Sequence, residues 1–226
     1  MKHGFLIFVY LLITGLIITA CAHLPKSDTA IITEPVASVA TGKDRQFVVD
    51  TAATFIRFTG HGVGKNHPGR FKLTDGTIAV AKDVVAGGRF TINIASLQIE
   101  QPEKIYQTKL KSHLLSADFF DTAQWRTADF VLTEIKPVSN SSHSVISGAN
   151  YTASGNLTLK GKTRNVTFPA KISIADTVLT AVANFSIDRT QWGMFYGNDK
   201  SLGDRFISET VTIELHLETR RSDMGF

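Results

Sequence analysis

The chain has 226 residues, a single cysteine, and 24 Lys and Arg against 20 Asp and Glu, for a formal net charge of +4. One thiol excludes an internal disulfide and a cysteine metal site. The charges are interspersed with no long basic block, which argues against a nucleic-acid partner, and 15 Phe against 3 Met is a palette for strands and a rigid core.

The start is basic, Met1-Lys2-His3, and an uncharged run follows from Phe5 to Ala20. As a helix that run reaches about 24 Å, short of the ~30 Å hydrocarbon core of a bilayer. A charged start, a short apolar stretch and small residues before the cut describe an export signal. The junction Ile18-Thr19-Ala20-Cys21 resembles a bacterial lipobox. Small residues let the backbone enter a protease, and the sulfur of Cys21 takes the lipid and becomes the new terminus. Residues 1–20 are therefore expected to be a lipoprotein signal peptide, and Cys21 the membrane anchor. The competing reading is an uncleaved anchor with an incidental cysteine. Ala22 stands where inner-membrane retention in Gram-negative lipoproteins commonly uses an aspartate, which favours the outer membrane, with the rest of the chain facing the periplasm. After residue 20 no apolar run is long enough to span a bilayer.

Residues 21–45 carry Pro25, Pro35, Ser27, Ser38 and Gly42 with scattered charge, the composition of a flexible tether. From 46 to 219 the pattern is one of strands. Thr54–Phe58 is rich in β-branched and aromatic residues, and Gly60–Gly69 reads as a glycine-rich basic loop. Phe71 and Leu73 alternate with charge up to a turn at Asp75-Gly76, and Ile78 and Val80 follow up to a second turn at Gly87-Gly88. Phe90, Ile92 and Ile94 alternate with polar or small neighbours. The period then breaks: Ile105, Tyr106, Lys109, Leu110, His113 and Leu114 recur at helical steps, predicting a short helix over about 103–115. Alternation returns at Phe130 and Leu132 and again from Tyr151 to Leu159, with a turn at Lys160-Gly161-Lys162. The return strand Val166–Ile174 contains Pro169, which marks an edge, a bulge or a strand end. The cleanest strand is the last, with Val211, Ile213, Leu215 and Leu217 on one face. Residues 220–226 read as a tail.

About eight to ten strands with strict alternation imply an antiparallel sheet with one face buried, and a sheet this long is expected to curl and close. Periodicity alone does not separate a barrel from a sandwich. In a barrel, small residues at alternating positions, Ala153, Gly155, Ala181 and Ala183, would leave room along the axis. Phe58, Phe71, Phe90, Phe130, Phe168 and Phe185 would supply apolar wall. Leu110 and Leu114 of the helix, with Phe119 and Phe120 after it, are candidates for a lid. Lys65, His67 and Arg70 in the glycine-rich loop are candidates for a ligand headgroup contact.

Four stretches, in order, resemble the YceI-like polyisoprenoid-binding family of exported, lipocalin-like proteins. They are Val49-Asp50 leading to Phe58-Thr59-Gly60, then Lys109–Thr122 continuing through Trp125 to Ala128-Asp129-Phe130, then Gly155–Phe168, and finally Phe185–Trp192 with Tyr196-Gly197, Gly203-Asp204 and Ile207-Ser208. The resemblance implies an all-β fold: a single eight-stranded antiparallel lipocalin-like barrel with a short helix near one end. It also implies an elongated apolar interior for a polyprenyl lipid, such as an isoprenoid quinone or prenyl lipid, with no other cofactor.

Catalytic signals are weak. The histidines form no HxxxH or HExxH pattern, no Gly-x-Ser-x-Gly elbow is present, and His61 and His67, six apart, make a poor metal pair. Asp188-Arg189, directly after a strand, reads as a corner salt bridge, a structural role that the resemblance favours. The leading expectation is a non-enzymatic envelope lipoprotein that sequesters or transports a polyprenyl lipid. Its rivals are a structural or assembly factor with a filled barrel and an envelope enzyme acting on lipids or peroxides.

Overall fold

The computed structural model describes residues 26–38, 44–138 and 144–223. Cys21, the signal segment, the remainder of the tether and residues 224–226 of the tail lie outside them.

Alternating apolar residues leave each strand with one face that water disfavours, and the sheet closes to bury it. The closed barrel has eight antiparallel staves and one short helix. The first stave is interrupted: β3 (Arg45–Val49) and β4 (Phe55–Gly62) both lie between β5 and β11, separated by a turn at 50–54. Asp50 holds that turn by accepting the N–H groups of Ala52 and Ala53, which keeps its carboxyl below the usual range. The next two staves are long, β5 (Lys65–Ala81) and β6 (Val84–Ile99). Helix α1 (Lys104–Leu115) leaves the barrel between β6 and β7 (Thr127–Pro137). β8 (Tyr151–Leu159), β9 (Lys162–Ile174), β10 (Val178–Asp188) and β11 (Ile207–Arg221) complete the ring.

The helix and the Lys160-Gly161 turn stand where the sequence places them, with both turn residues at positive φ. Two other expected turns do not exist. Asp75-Gly76 lies inside β5, and Gly87-Gly88 lies inside β6 opposite Ala79 and Ile78. Gly76 serves packing: a Cβ there would sit 2.7 Å from both the Phe90 ring and Val49. The chain reverses at Lys82-Asp83 instead, two non-glycine residues at φ 50° and 62°. The glycine-rich segment 60–69 is likewise no loop but a tight hairpin, with β4 ending at Gly62 and β5 beginning at Lys65.

The expected tether is partly built into the barrel. β9 and β10 pair directly only from Leu179↔Ile174 to Val182↔Lys171, then diverge. Into the gap runs β1 (Asp28–Thr29), parallel to β10, and then β2 (Ile31–Thr33), antiparallel to β9. Open strand edges demand partners, and this segment supplies them. Ala30 is buried between the two, and the Asn156 side chain clasps both the N–H and the carbonyl of Val36. Pro169 falls between the stretches of β9 that pair with β2 and with β10, where a missing N–H costs no ladder bond. The expected tail also shortens, because Arg220 and Arg221 still pair with β3.

The barrel is filled unequally. Near the β5–β6 and β9–β10 turns, Phe47, Val80 and Leu179 have no solvent exposure and close that end. The opposite end, beneath α1 and the 189–206 segment, is hollow.

Candidate functional site

A cavity of about 260 Å³ occupies the hollow end. Its wall is built from inward positions of the staves, where the period of two places every second side chain. The six phenylalanines expected on the wall, Phe58, Phe71, Phe90, Phe130, Phe168 and Phe185, all line it. They form runs of contacting rings. Phe168 stacks on Phe185 at 4.0 Å across the β9–β10 divergence, Phe130 lies 6.1 Å from Phe168, and Phe58 stacks on Phe71 at 5.2 Å. On β11, Val211, Ile213 and Leu215 border the same space and are only half-buried, as inward residues facing an open interior should be.

The four small residues do not border the cavity. Ala153, Ala181 and Ala183 are buried in the packed core, where Ala181 pairs with Ile172 near the β9–β10 turn. Gly155 makes room for a neighbour: a Cβ there would stand 2.1 Å from the tip of the Phe130 ring. Its vacant side chain lets Phe130 cross β8 toward Phe168.

All four lid candidates reach the cavity. Leu110 and Leu114 descend from α1, and Phe119 and Phe120 follow it. Phe120 meets Phe71 edge-on at 5.3 Å. No residue of α1 is fully buried, so the helix is a loosely seated cover.

The three headgroup candidates separate because they lie on a strand. Only His67 lines the cavity. Arg70 is exposed on the other face of β5, donating to Gln98 at 2.8 Å and lying 3.6 Å from Glu100. Lys65 shares the parity of His67 but is exposed at the rim.

The polar side chains on the wall are His67, His113, Arg189 and Ser208. They gather at one end, since β11 begins at Ile207, β10 ends at Asp188, and His67 faces Gly60 on β4. Arg189 is only 3 % exposed. It makes no ion pair with Asp188, whose carboxylate caps the following turn by accepting from Thr190 N–H and hydroxyl. Its guanidinium instead donates to four backbone carbonyls, those of Met194, Tyr196, Ile207 and Ser208. It also lies 5.6 Å from the Phe119 ring centre. Burial lowers its pKa, and the carboxylates of Glu209 and Asp188 counter this, so the group stays charged at neutral pH. From sequence Arg189 stands out only as part of a corner, and neither His113 nor Ser208 stands out as a wall residue. The available signal was an arginine directly after the apolar positions of a strand and just before Trp192, which is fully buried.

His67 Nδ1 is buried and has no hydrogen-bond partner among the described residues. Burial, aided by Lys65, lowers its pKa below 6.5 and favours the neutral ring. The unfolded chain therefore binds the His67 proton more readily than the folded one. This makes stability full above about pH 6.5 and has it fall as pH drops through the folded value. Thermal melts of the ligand-free protein at pH 7.5 and 5.5 should show that loss, and His67→Gln should shrink it. An unchanged acid loss in the variant would remove His67 as its source.

His61 does not face the cavity. Its ring nitrogens are occupied by Asn66 at 2.9 Å and Thr212 at 3.0 Å. Among the described residues no cluster of His, Cys, Asp or Glu could hold a metal ion. Nor is any described helix long and apolar enough to cross a membrane.

A closed antiparallel barrel with a lidded apolar chamber and a few polar groups at its mouth has the geometry that small-molecule-binding barrels use. Residues 47–219 match the YceI-like domain, and the chain belongs to that family. It is 31 % identical over 104 residues to Protein YceI of Escherichia coli O6:H1 (strain CFT073), covering 46 % of this chain and 48 % of that protein. The matched stretch thus spans about half the length of that relative. BcnA of Burkholderia cenocepacia has the same fold, with a TM-score of 0.59 at 23 % identity over 75 % of this chain and 98 % of its own. So does a polyisoprenoid binding domain from Saccharophagus degradans, with a TM-score of 0.58 at 15 % identity over 77 % and 98 %.

Proposed function

We propose that this protein is an envelope lipoprotein that holds a polyprenyl lipid in its barrel, for sequestration or transport, without chemical change to the lipid. The observation that carries the reading is the cavity: a chamber walled by phenylalanine and aliphatic side chains, with its polar groups confined to one end. That division matches a long hydrocarbon with a compact polar head. Membership of the YceI-like family and the fold shared with a polyisoprenoid binding domain support it.

The apolar part binds by loss of water contact. Several hundred Å² buried at ~25 cal/mol/Å² gives on the order of 10 kcal/mol before the costs of association. The head faces His67 Nδ1 and Arg189, which among the described residues are a buried nitrogen without a hydrogen-bond partner and a buried cation without an ion-paired carboxylate. An isoprenoid quinone suits this pair, because its carbonyls accept hydrogen bonds without bringing charge into the chamber. Cys21, lipidated after removal of residues 1–20, would anchor the domain, and Ala22 favours the outer membrane. Native mass spectrometry of the chain from Ala22 onward, followed by solvent extraction, tests the reading. One prenyl lipid per chain is expected. A clean ligand-free mass with no uptake of added quinone would sink it.

A further inference from the structure

The cavity mouth carries more exposed apolar surface than a solvated rim needs. Val63, Ile105, Tyr106, Phe195 and Tyr196 are 53, 60, 58, 56 and 47 % exposed. They come from three separate segments, and each segment is fastened beside the mouth. Val63 tips the β4–β5 hairpin, where Gly62 pairs with the wall residue Ile207. Ile105 and Tyr106 begin α1, the cover, which is tied to the start of β5 through Gln107 and Gln101, the latter donating to the Asn66 carbonyl at 2.7 Å. Phe195 and Tyr196 follow the Arg189 turn, and the Tyr196 ring meets the wall residue His113 at 4.6 Å.

Together these segments carry a small positive excess, which comes from 62–66 and 103–109, while 195–206 is balanced. Over 62–66, 103–109 and 195–206 the exposed cations are Lys65, Lys104, Lys109, Lys200 and Arg205, and the exposed carboxylates are Glu103, Asp199 and Asp204. None of those five cations makes an ion pair among the described residues. Apolar and aromatic tips set among free cations are the composition that lies down on an anionic bilayer, the tips entering the interface and the cations meeting phosphate. A protein partner would also accept the apolar tips, but the interspersed lysines favour the lipid surface.

We infer that this rim docks the barrel mouth-down on an anionic phospholipid surface, with α1 pressed into the interface where the cover can lift. The inference rests on the lipid-carrier reading for its purpose, but its test does not depend on that reading. All described residues lie beyond Cys21, so a chain starting at Ala22 keeps every contact while lacking the anchor.

Flotation with vesicles of phosphatidylcholine alone, and with about a third phosphatidylglycerol, measures docking. The protein should float with the anionic vesicles and lose most of that association in high salt. Val63→Glu, Ile105→Glu and Phe195→Glu together should lower the bound fraction at least tenfold. None of these residues lines the cavity, so prenyl-lipid occupancy by mass spectrometry should be unchanged. Lys104→Gln with Lys109→Gln gives a gentler variant that should lower only the anionic-lipid component. Protein that stays soluble with both vesicles, floats equally on both, or floats undiminished as the triple variant overturns docking. An empty barrel that still docks overturns the carrier reading instead.

Discussion

Arg189→Met should be among the most damaging single substitutions in the domain. The native guanidinium gathers carbonyls from Met194, Tyr196, Ile207 and Ser208, so one side chain fixes the 194–208 segment against the end of β10. Methionine fills much of the same volume but donates nothing. Four carbonyls then lose their partner in a part-buried setting, and those that water cannot reach cost about 1–3 kcal/mol each. A net loss of about 3 kcal/mol is expected, as when between one and three of the four carbonyls stay unsatisfied. For a domain of this size that lowers the thermal midpoint by roughly 6–12 °C. Arg189→Lys keeps the charge but not the fork, and should fall between the two. Hydrogen exchange should quicken first over 194–207, while the pairs between β10 and β11 stay protected. A midpoint within about 2 °C of native would mean that water replaces the guanidinium freely, and the mouth would then be far wetter than its burial indicates.

Particular residues show where sequence reasoning succeeds and where three-dimensional competition defeats it. The last strand and the six wall phenylalanines are legible because period-two alternation and barrel closure point the same way. The small residues mislead because a missing side chain marks space without saying who takes it. At Gly155 the taker is the Phe130 ring, and at Gly76 it is Phe90 with Val49, so neither gap belongs to a ligand or a turn. The true reversal at Lys82-Asp83 uses two non-glycine residues at positive φ, an uncommon choice that leaves no glycine to read. A loop over 60–69 would have no parity and would group Arg70 with His67, but the segment is a hairpin. Once β5 starts at Lys65, the same alternation that places Phe71 inside also places His67 inside and Arg70 outside. The inserted strand at 28–33 is illegible for another reason. Its partner is the gap between β9 and β10, which exists only after the barrel has closed.

Gly60→Phe should empty the chamber without unfolding it. Gly60 lies on the inward face of β4, two residues from Phe58, and borders the cavity. A Cβ built there meets only the His67 carbonyl, at 4.0 Å, so a side chain has free space to enter. The contrast with Gly155 is the point of the experiment, since both are strand glycines and only one faces the hollow. A phenylalanine side chain presents at least about 150 Å², and excluding that much ligand contact at ~25 cal/mol/Å² removes about 4 kcal/mol. Affinity for a prenyl quinone should therefore fall close to a thousandfold. The ligand-free thermal midpoint should hold or rise, because the new ring fills a void. Gly155→Leu should do the reverse, lowering the midpoint by collision with Phe130. Retention of bound prenyl lipid by a folded Gly60→Phe protein would mean that the guest does not lie where the hollow is, and the assignment of this chamber as the binding site would fail.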